Sequence, residues 1–462
     1  MQPILRKIAP PLAFALTSVS LFAAVLLRGG VYPEQWKWTA LGVSVAALLV
    51  TKATPVNDSS TRTDWAQWLL IALLVWMALQ LAPLPPALVA FLSPERWNAV
   101  SAARELIGQN ARTWFALSVA PGETLERLLD VMPTMAAFLV ARTLCVYWRS
   151  KLWLLAFPVI AIAWLESMLG LLQFYTRRGG GGAAGLAGLS NVVTGTYANK
   201  NHFAGLLEMA FPLAVLCAVA TWREPAAPEA GSLKPALAAI GLLSVAACLL
   251  LGISLSLSRM AFIATLAAAT PTASILLAPH QGHPAPIRRW RWLASPALLV
   301  LLLVSLPSRE LLNRFTQMSR LNEIPSDARL GIWRDTLPLI AAYKWAGCGL
   351  GAYEQCFYRF NTRSPMETIN FAHNDYLQII AELGFAGAAP AAALALWIAW
   401  RLLSVVFWMP ASRNWELAVG LLGALFAIAL HSLVDFNLYI PANALTLAWL
   451  SGIAASPTLR DP

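Results

Sequence analysis

Charged residues are unusually scarce in this sequence, and their scarcity excludes a soluble globular protein. Only 12% of the 462 residues are charged and 58% are hydrophobic, with a mean hydropathy of +0.61, whereas soluble domains carry roughly 25% charged residues. So few polar side chains cannot cover a soluble particle of this size. The longest apolar runs reach the ~20 residues needed to cross hydrocarbon, so the sequence predicts an all-α polytopic membrane protein.

Cysteine and histidine are also few, with five of each. One closely spaced pair, His280 and His283, has no Cys, Asp or Glu partner nearby, so neither a metal site nor a cofactor is expected. Cys348 and Cys356 fall in a predicted outer loop, where a disulfide is chemically permitted; two free thiols in a packed loop are the alternative. The other cysteines fall inside predicted spans and serve as small apolar side chains: Cys145, Cys217 and Cys248.

Apolar runs predict about twelve transmembrane helices in a single integral membrane domain over 1–462. The predicted spans are 10–27, 38–51, 65–82, 129–147, 153–174, 203–222, 236–255, 261–277, 293–306, 385–404, 416–431 and 441–455. A large ordered periplasmic loop is expected before the tenth span. No internal repeat is visible, so an inverted-repeat transporter gains no support.

The net charge of +10 predicts the orientation of the chain. With the N-terminus in the cytoplasm, nearly every inner loop carries two or more Lys or Arg, as the positive-inside rule requires, and an even number of spans returns the C-terminus to the same side. These charges would meet anionic membrane lipids. Nucleic acid is not expected as a partner, because no basic run with interleaved aromatic residues occurs outside Arg288–Arg291.

Three long segments fall on the outer side in this topology, at 83–128, 175–202 and 307–384. Long ordered loops in a compact protein are usually functional. The third segment is the longest; it balances eight basic against eight acidic residues and is rich in aromatic residues. We therefore expect it to fold against the membrane surface and to carry site residues.

The strongest polar motif runs from Asn370 to Gln378 and contains His373, Asn374 and Asp375. It precedes an apolar stretch and is typical of a helix start, with Asn370 or Asn374 as the cap. A helix N-terminus favours anionic oxygen and tends to keep a nearby imidazole neutral, and a neutral imidazole is what a general base requires. A capped helix with a surface histidine is the alternative.

A second polar motif stands directly before the span at 203–222 and consists of Asn199, Lys200, Asn201 and His202. The spacing of Asn201, Gly205 and Glu208 puts them on one helix face, so Glu208 would lie about two turns into the membrane. Intramembrane carboxylates usually line a cavity or pair with another group. Glu166 in the preceding span is a possible neighbour, and a structural polar contact between helices is the alternative.

Arginines mark two further places. Arg259 sits in a very short outer turn between two apolar spans, where an arginine is a poor choice unless it binds something. A guanidinium fork matches phosphate oxygens, and anchoring to lipid headgroups is the alternative. Arg329 and Arg334 bracket an apolar strip in the third outer segment, for which a solvated amphipathic face is the alternative.

Two shorter motifs complete the set. His431 and Asp435 are spaced to share one helix face, where Asp435 could orient a His or an Arg; as a plain ion pair they would contribute little. Gly347–Gly351 reads G-x-G-x-G, but no strand precedes it. A nucleotide fingerprint is therefore rejected in favour of loop turns.

Taken in order, these motifs resemble the O-antigen ligase and Wzy-type O-antigen polymerase superfamily of lipid-linked glycan transferases. The resemblance covers roughly 150–450, and the order of the motifs and their placement on one membrane side make it fairly specific. The matching stretches are Gly195–Gly205, Ser258-Arg259, Arg329 with Ile332-Trp333, Gly347–Gly351, Ala372–Gln378 and His431–Phe436.

The resemblance implies an inverting glycosyltransferase of the GT-C class in the bacterial inner membrane. Such proteins move a glycan from undecaprenyl pyrophosphate to an acceptor hydroxyl in the periplasm, without nucleotide sugar or metal. By position, His373 would take the acceptor proton, and Arg259 and Arg329 would hold the pyrophosphate. Weaker phosphate candidates are Arg334, Arg178 and Lys200. Supporting candidates are Asn199, Asn201, His202, Glu208, Asn374, Asp375, His431 and Asp435.

Several functions stay open at this point. Ligation to lipid A-core, polymerisation of lipid-linked repeat units and transfer to a protein hydroxyl share donor and motifs, and the family label slightly favours ligation. A transporter or flippase of lipid-linked sugars predicts polar residues distributed through the membrane depth, whereas most candidates gather at one face. A purely structural role for the protein would not explain why His, Arg and Asn residues are concentrated on the outer side.

Overall fold

In the computed structural model the chain is built from helices. The structure describes residues 2–53, 65–108, 113–178, 192–223, 233–277, 326–363, 366–409 and 414–460. Within these ranges there is no β-strand, and Leu84 and Phe115 form an isolated bridge. The predicted all-α fold is therefore confirmed.

The helices follow the apolar runs of the sequence. They are α1 (Gln2–Leu26), α2 (Pro33–Ala53), α3 (Trp65–Leu79), α4 (Pro86–Leu92), α5 (Pro94–Leu106), α6 (Pro121–Tyr147), α7 (Trp153–Arg178), α8 (Lys200–Arg223), α9 (Lys234–Leu255), α10 (Arg259–Leu277), α11 (Ser326–Ala342), α12 (Tyr353–Phe357), α13 (Asp375–Trp408), α14 (Trp415–His431) and α15 (Pro441–Ala454). Eleven of the twelve predicted spans coincide with one of these helices. The span at 293–306 lies outside the described residues, as do His280 and His283.

Six helices in the described part of the chain are long and apolar enough to cross a membrane, namely α1, α6, α7, α8, α9 and α13. Two shorter apolar helices, α3 and α14, accompany them. Helix α8 is central, because it packs against α7, α9, α10, α14 and α15. Inside the protein, 78% of its apolar stretch is buried, compared with 28% for α9 and for α13. The peripheral helices therefore expose apolar side chains of the kind that lipid covers.

Two of the segments predicted to lie outside the membrane, 83–128 and 307–384, pack together where they are described. The Val119 amide donates to the Cys348 carbonyl at 2.8 Å. Ala346 is buried in an apolar cluster with Leu84, Val89, Phe115 and Leu117. These contacts place both segments at the same end of the helix bundle.

The described part of the segment 307–384 has an apolar core of its own. Cys348 and Cys356 are buried in that core beside Tyr353 and Phe357. Neither cysteine forms a disulfide, so of the two alternatives the structure has free thiols in a packed loop. Burial raises the pKa of the Cys348 thiol, which makes the thiol a poor nucleophile.

Helix α13 begins earlier than the predicted span at 385, and it is broken. It starts at Asp375, and Gly384 interrupts it with φ 62° and ψ −177°. The predicted span at 385 covers only the segment after the break, and the helix start predicted from the Asn370–Gln378 motif is the beginning of α13. The break separates a short segment that follows His373 from the long apolar segment that follows Gly384.

The loop 344–351 pairs with the backbone groups that the break releases. The Phe385 amide donates to the Lys344 carbonyl at 2.8 Å. The Cys348 amide donates to the Ala381 carbonyl at 2.9 Å. Buried backbone groups without partners would each cost free energy, so this loop is required for the break.

Helix α3 supplies further partners from its C-terminal end. The indole Nε1 of Trp76 donates to the Leu383 carbonyl at 2.8 Å. The Gln80 amide nitrogen donates to the Glu382 carbonyl at 2.8 Å, and its oxygen accepts from the Leu350 amide at 3.0 Å. The buried Gln80 therefore joins α3, the break and the loop 344–351.

Glycine is needed at this contact, as the expected loop turns require. Gly347, Gly349 and Gly351 have φ of 71°, 117° and 74°, a region that favours glycine. A Cβ atom on Gly347 would lie 2.1 Å from the Glu382 carbonyl oxygen. The G-x-G-x-G motif is thus explained by close backbone packing.

Gly384→Ala should lower the melting temperature of the detergent-solubilised protein. Its Cβ would lie 2.3 Å from the Trp345 carbonyl oxygen at a φ of 62°, and a strained backbone position of this kind costs about 1–3 kcal/mol. Gly241→Ala in α9 is the matched control, because a Cβ there meets nothing within 4 Å. Equal melting temperatures for the two variants would contradict the account of the break.

Candidate active site

His373 lies directly before α13, at the end of the bundle formed by the packed outer segments. The Asn374 side chain caps α13 by accepting from the amides of Tyr376 and Leu377 at 3.0 and 3.1 Å. Of the two predicted caps, the structure therefore uses Asn374. The cap fixes where the helix begins and hence where His373 stands.

His373 adopts φ 49°, which is uncommon for a residue other than glycine. Both backbone polar groups of the preceding residue, Ala372, form hydrogen bonds. The Ala372 amide donates to Gln378 Oε1 at 2.6 Å, and the Ala372 carbonyl accepts from Trp333 Nε1 at 2.9 Å. These bonds stabilise the turn that presents the imidazole.

Asp435 brings three separate segments of the chain together. Its carboxylate accepts from Asn201 Nδ2 at 2.7 Å and from the Phe436 amide at 2.9 Å. The Oδ1 atom lies 3.5 Å from His202 Nε2 and 4.0 Å from His373 Nδ1. Asp435 was predicted to orient a His or an Arg, and the structure places two histidines beside it.

An apolar wall stands beside these two histidines. The Phe436 ring meets the rings of His202 and His373 edge-on, with centroids 4.7 and 4.9 Å apart. On its face it stacks against Phe371 at 4.2 Å. Both phenylalanines lie within the predicted motifs, but no role was predicted for them. An aromatic residue beside a polar motif usually serves only to pack the core.

The His373 imidazole is neutral at neutral pH. Burial lowers its pKa to about 4; Asp435 opposes this shift, whereas the Arg329 cation and His202 reinforce it. The side chain nevertheless keeps 16% of its surface exposed. A neutral and accessible imidazole can accept a proton.

The charge of Asp435 is fixed by its neighbours. Burial on its own raises the pKa of this carboxyl group, but His202, together with His431 and Arg329, outweighs burial and brings the pKa below its usual range. The site therefore contains a permanent anion next to His373. An anion at this distance stabilises an imidazolium once a proton has been accepted.

Arg329 is the arginine that the structure brings to His373. It lies on α11 and acts electrostatically on both His373 and Asp435. Its Nε atom is buried and makes no hydrogen bond to the part of the chain that the structure describes. Arg334, further along α11, is exposed.

The remaining predicted cations lie on other elements. Arg259 begins α10, and Lys200 begins α8. The two helix starts lie at the same end of the bundle, because the Val193 amide donates to the Leu255 carbonyl at 3.1 Å. The side chain of Arg178 lies outside the described part of the structure.

Glu208 pairs with His431 rather than with Glu166. His431 Nδ1 lies 3.0 and 3.2 Å from the two carboxylate oxygens of Glu208, and both side chains are buried. Glu166 instead accepts from the amide and hydroxyl of Thr196 at 2.9 and 2.7 Å. The face of α8 that carries Asn201 and Glu208 packs toward α14, so the suggested Glu166 neighbour was wrong.

The expected shared helix face of His431 and Asp435 was also wrong. Helix α14 ends at His431, and Asp435 lies in the turn that follows. The chain leaves the helix because this turn is bonded to α13. The Asp375 amide donates to the Ser432 carbonyl at 2.9 Å, and Asp375 Oδ2 accepts from the Leu438 amide at 3.2 Å.

Glu382 was missed by the sequence analysis. It is fully buried and accepts from the Tyr439 hydroxyl at 2.7 Å, from Gln378 Nε2 at 2.8 Å and from the Gly351 amide at 2.8 Å. Gln378 and Glu382 are spaced four residues apart, so they share a helix face. That spacing at the end of the His373 motif was a usable sequence signal.

Within the described residues, no group of three or more His, Cys, Asp or Glu side chains is arranged to hold a metal ion. The groups that the structure brings together at the site are the imidazole of His373, the carboxylate of Asp435 and the guanidinium of Arg329. Together they provide a proton acceptor, an anion that stabilises its protonated form, and a fixed cation.

Glu208→Ala should destabilise the protein by about 3–5 kcal/mol, because it leaves a buried polar partner unpaired. The double variant Glu208→Leu/His431→Leu should recover most of that loss, since apolar replacement of a buried pair is often neutral. Thermal unfolding in detergent measures both. A single variant as stable as the original chain would show that the pair is not structural.

The O-antigen ligase family model (Wzy_C) matches residues 244–392, about a third of the chain. The matched stretch contains Arg259, Arg329 and His373, whereas His202 and Asp435 lie outside it. No curated protein gives a significant match. The family match confirms the resemblance predicted from the sequence: over this stretch the chain is similar to the O-antigen ligase and Wzy-type polymerase superfamily.

Proposed function

We propose that the protein transfers a glycan, with inversion, from undecaprenyl pyrophosphate to an acceptor hydroxyl at the periplasmic face of the bacterial inner membrane. The observation that carries this proposal is the neutral imidazole of His373, 4.0 Å from the Asp435 carboxylate and under the electrostatic influence of the Arg329 cation. The family match at 244–392 supports the same reaction class.

His373 acts as the general base in this proposal. Its Nδ1 faces Asp435 at 4.0 Å, which leaves Nε2 for the acceptor hydroxyl. As the acceptor oxygen bonds to the anomeric carbon, the bond from that carbon to the pyrophosphate oxygen breaks. The proton passes to His373, and the electron pair leaves with undecaprenyl pyrophosphate. Asp435 stabilises the resulting imidazolium.

Arg329 and Arg259 hold the pyrophosphate. Pyrophosphate is a good leaving group, so the reaction mainly needs a positioned base and cations where negative charge develops. Arginine stays protonated, so fixed cations serve this purpose without a metal ion. Among the described residues the buried Nε of Arg329 has no hydrogen-bond partner, which suits an arginine whose partner is a ligand.

Donor binding strengthens the base. In the free protein the Arg329 cation contributes to the low pKa of His373. A bound pyrophosphate offsets that cation and adds negative charge nearby, and both effects favour the protonated imidazole. The base is thus strongest when the donor is present.

The membrane arrangement in this proposal has about twelve spans, cytoplasmic termini and a periplasmic site. Its support is that two of the long segments meet at Asp435. The segment 175–202 contributes Asn201 and His202, and the segment 307–384 contributes His373. A site at the membrane edge suits a donor whose lipid chain stays in the bilayer.

Ligation to lipid A-core is the acceptor reaction we propose first, and polymerisation of lipid-linked repeat units is the alternative within the same chemistry. A flippase of lipid-linked sugars would need polar groups along a path through the membrane. Glu208 lies six residues after His202 along α8, and it is paired with His431. That pairing favours a structural role over a transport path.

Transfer by the purified protein tests the proposal directly. Undecaprenyl-pyrophosphate-linked glycan is supplied with lipid A-core or with a second donor molecule, and the products are separated by mass. One glycan on lipid A-core establishes ligation, and a ladder of longer lipid-linked products establishes polymerisation. His373→Ala should reduce transfer at least about 100-fold, while Glu105→Gln, an exposed acid on α5, should leave it unchanged.

Three controls make the transfer assay decisive. Folding of each variant is checked by its elution and melting temperature in detergent. Chelator should not abolish transfer, and a loss reversed by added metal would contradict the metal-free mechanism. Full activity of His373→Ala would overturn the base assignment, and intact donor with no product on either acceptor would count against transferase function.

The pH dependence of transfer should reflect the lowered pKa of His373. The imidazole binds a proton only as pH falls through about 4, so kcat/KM, which reports the free protein, should lose activity there rather than near 6.5. The acid limb of kcat should lie at higher pH, because bound donor raises the pKa. Steady-state rates across pH measure both, and coincident limbs near 6.5 would contradict the proposed coupling.

A further inference from the structure

A cleft of about 200 Å³ opens beside the candidate active site, and the proposed mechanism does not use it. One side is formed by the first turns of α6, with Glu123, Glu126 and Arg127. The other side is formed by residues that precede and begin α13, including Asn370 and Phe371. The family match does not extend to α6, so the resemblance assigns this wall no role.

The cleft has the mixed lining that sugars require. Asn370 contributes an exposed side-chain amide, and Phe371 contributes a partly exposed aromatic ring. Amide and carboxylate oxygens accept hydrogen bonds from hydroxyl groups, and an aromatic face packs against the C–H face of a sugar ring. The cleft therefore matches a hydroxylated ring better than it matches a purely apolar ligand.

The cleft is also acidic. Five carboxylic residues line it, Glu123, Glu126, Asp130, Glu354 and Glu382, against the cation of Arg127. That cation is already engaged: its Cζ atom lies 4.6 Å from the centre of the Tyr439 ring, and its Nη1 atom lies 3.8 Å from Asp130. Asp130 is paired with that cation, and Glu382 is buried and already accepts three hydrogen bonds. The field in the cleft therefore comes from Glu123, Glu126 and Glu354, and it repels phosphate and carboxylate groups and attracts an ammonium group.

Two stacked aromatic rings separate the cleft from the base. Phe371 lines the cleft and stacks on Phe436 at 4.2 Å. The Phe436 ring in turn meets His373 edge-on at 4.9 Å. A sugar ring bound against Phe371 is therefore separated from the imidazole by these two rings. It lies next to the reacting sugar of a longer acceptor and is not itself the sugar that reacts.

We propose that this cleft is a subsite for the acceptor glycan, binding the sugar next to the one that reacts, and that it takes an uncharged or amine-bearing sugar and rejects a phosphorylated one. The inference rests on the proposed transferase function and adds the chemical class of the acceptor. The site is thereby divided by charge: cations hold the donor pyrophosphate, and the acidic cleft keeps anionic groups out of the acceptor position.

Sugar binding to the protein in nanodiscs tests the charge rule without any donor. The probes are methyl glucoside, methyl glucosaminide and glucose 6-phosphate, and binding is measured by saturation-transfer NMR. The glucosaminide should bind about tenfold more tightly than the glucoside, and glucose 6-phosphate should not bind. Raising the salt concentration should reduce the preference for the amine.

Glu123→Gln/Glu126→Gln should remove most of this discrimination, because both residues are exposed and their replacement keeps shape while removing charge. Glu105→Gln, also exposed but on α5, is the matched control and should keep it. Equal binding of all three probes to the original chain, or unchanged discrimination in the double variant, would overturn the acceptor subsite.

A kinetic arm separates this inference from the proposed function. In the transfer assay, the double variant should change KM for the acceptor several-fold while kcat and KM for the donor stay within about twofold. Probe binding without any transfer by the original chain would count against the transferase function. If the double variant transfers glycan with an unchanged KM for the acceptor, the proposed role of the cleft is contradicted and the transferase function is not.

Discussion

The hydrogen bonds that close the break in α13 are the contacts on which the rest of the structure depends. A helix interrupted at the edge of a membrane releases amides and carbonyls that lipid cannot satisfy. Here the loop 344–351 and the side chains of Trp76 and Gln80 pair with them. Glycines are required in that loop because its backbone packs directly against the backbone of α13. These contacts fix the position of the first segment of α13 and of His373, which precedes it.

The polar groups of the site are arranged around the charge of Asp435. Asp435 is buried, but Asn201 and the Phe436 amide bond to it and two histidines flank it. A buried carboxylate without such partners would be costly. With them it remains an anion, and it can stabilise a proton on His373 while the aromatic wall of Phe371 and Phe436 limits access by water.

Much of the fold was predictable because apolar runs report directly on helices, and the Asn374 cap was predictable because its side chain acts on its own backbone. Periodicity also put Asn201, Gly205 and Glu208 on one face of α8. It did not reveal which helix faces them, so Glu166 was suggested where the structure has His431. The break at Gly384 and the role of Glu382 depend on contacts with loop 344–351 and with the end of α3. These segments are distant in sequence from one another and meet only after folding, so no local pattern reveals the contacts.

The contact between Asn201 and Asp435 joins residues 234 positions apart in the chain. During synthesis, the earlier residue enters the membrane long before the later one has been made. Contacts of such separation are among the last to form in a growing chain. The site is therefore assembled only after α14 has been inserted, and a chain truncated before that helix would bury Asn201 and His202 without their carboxylate.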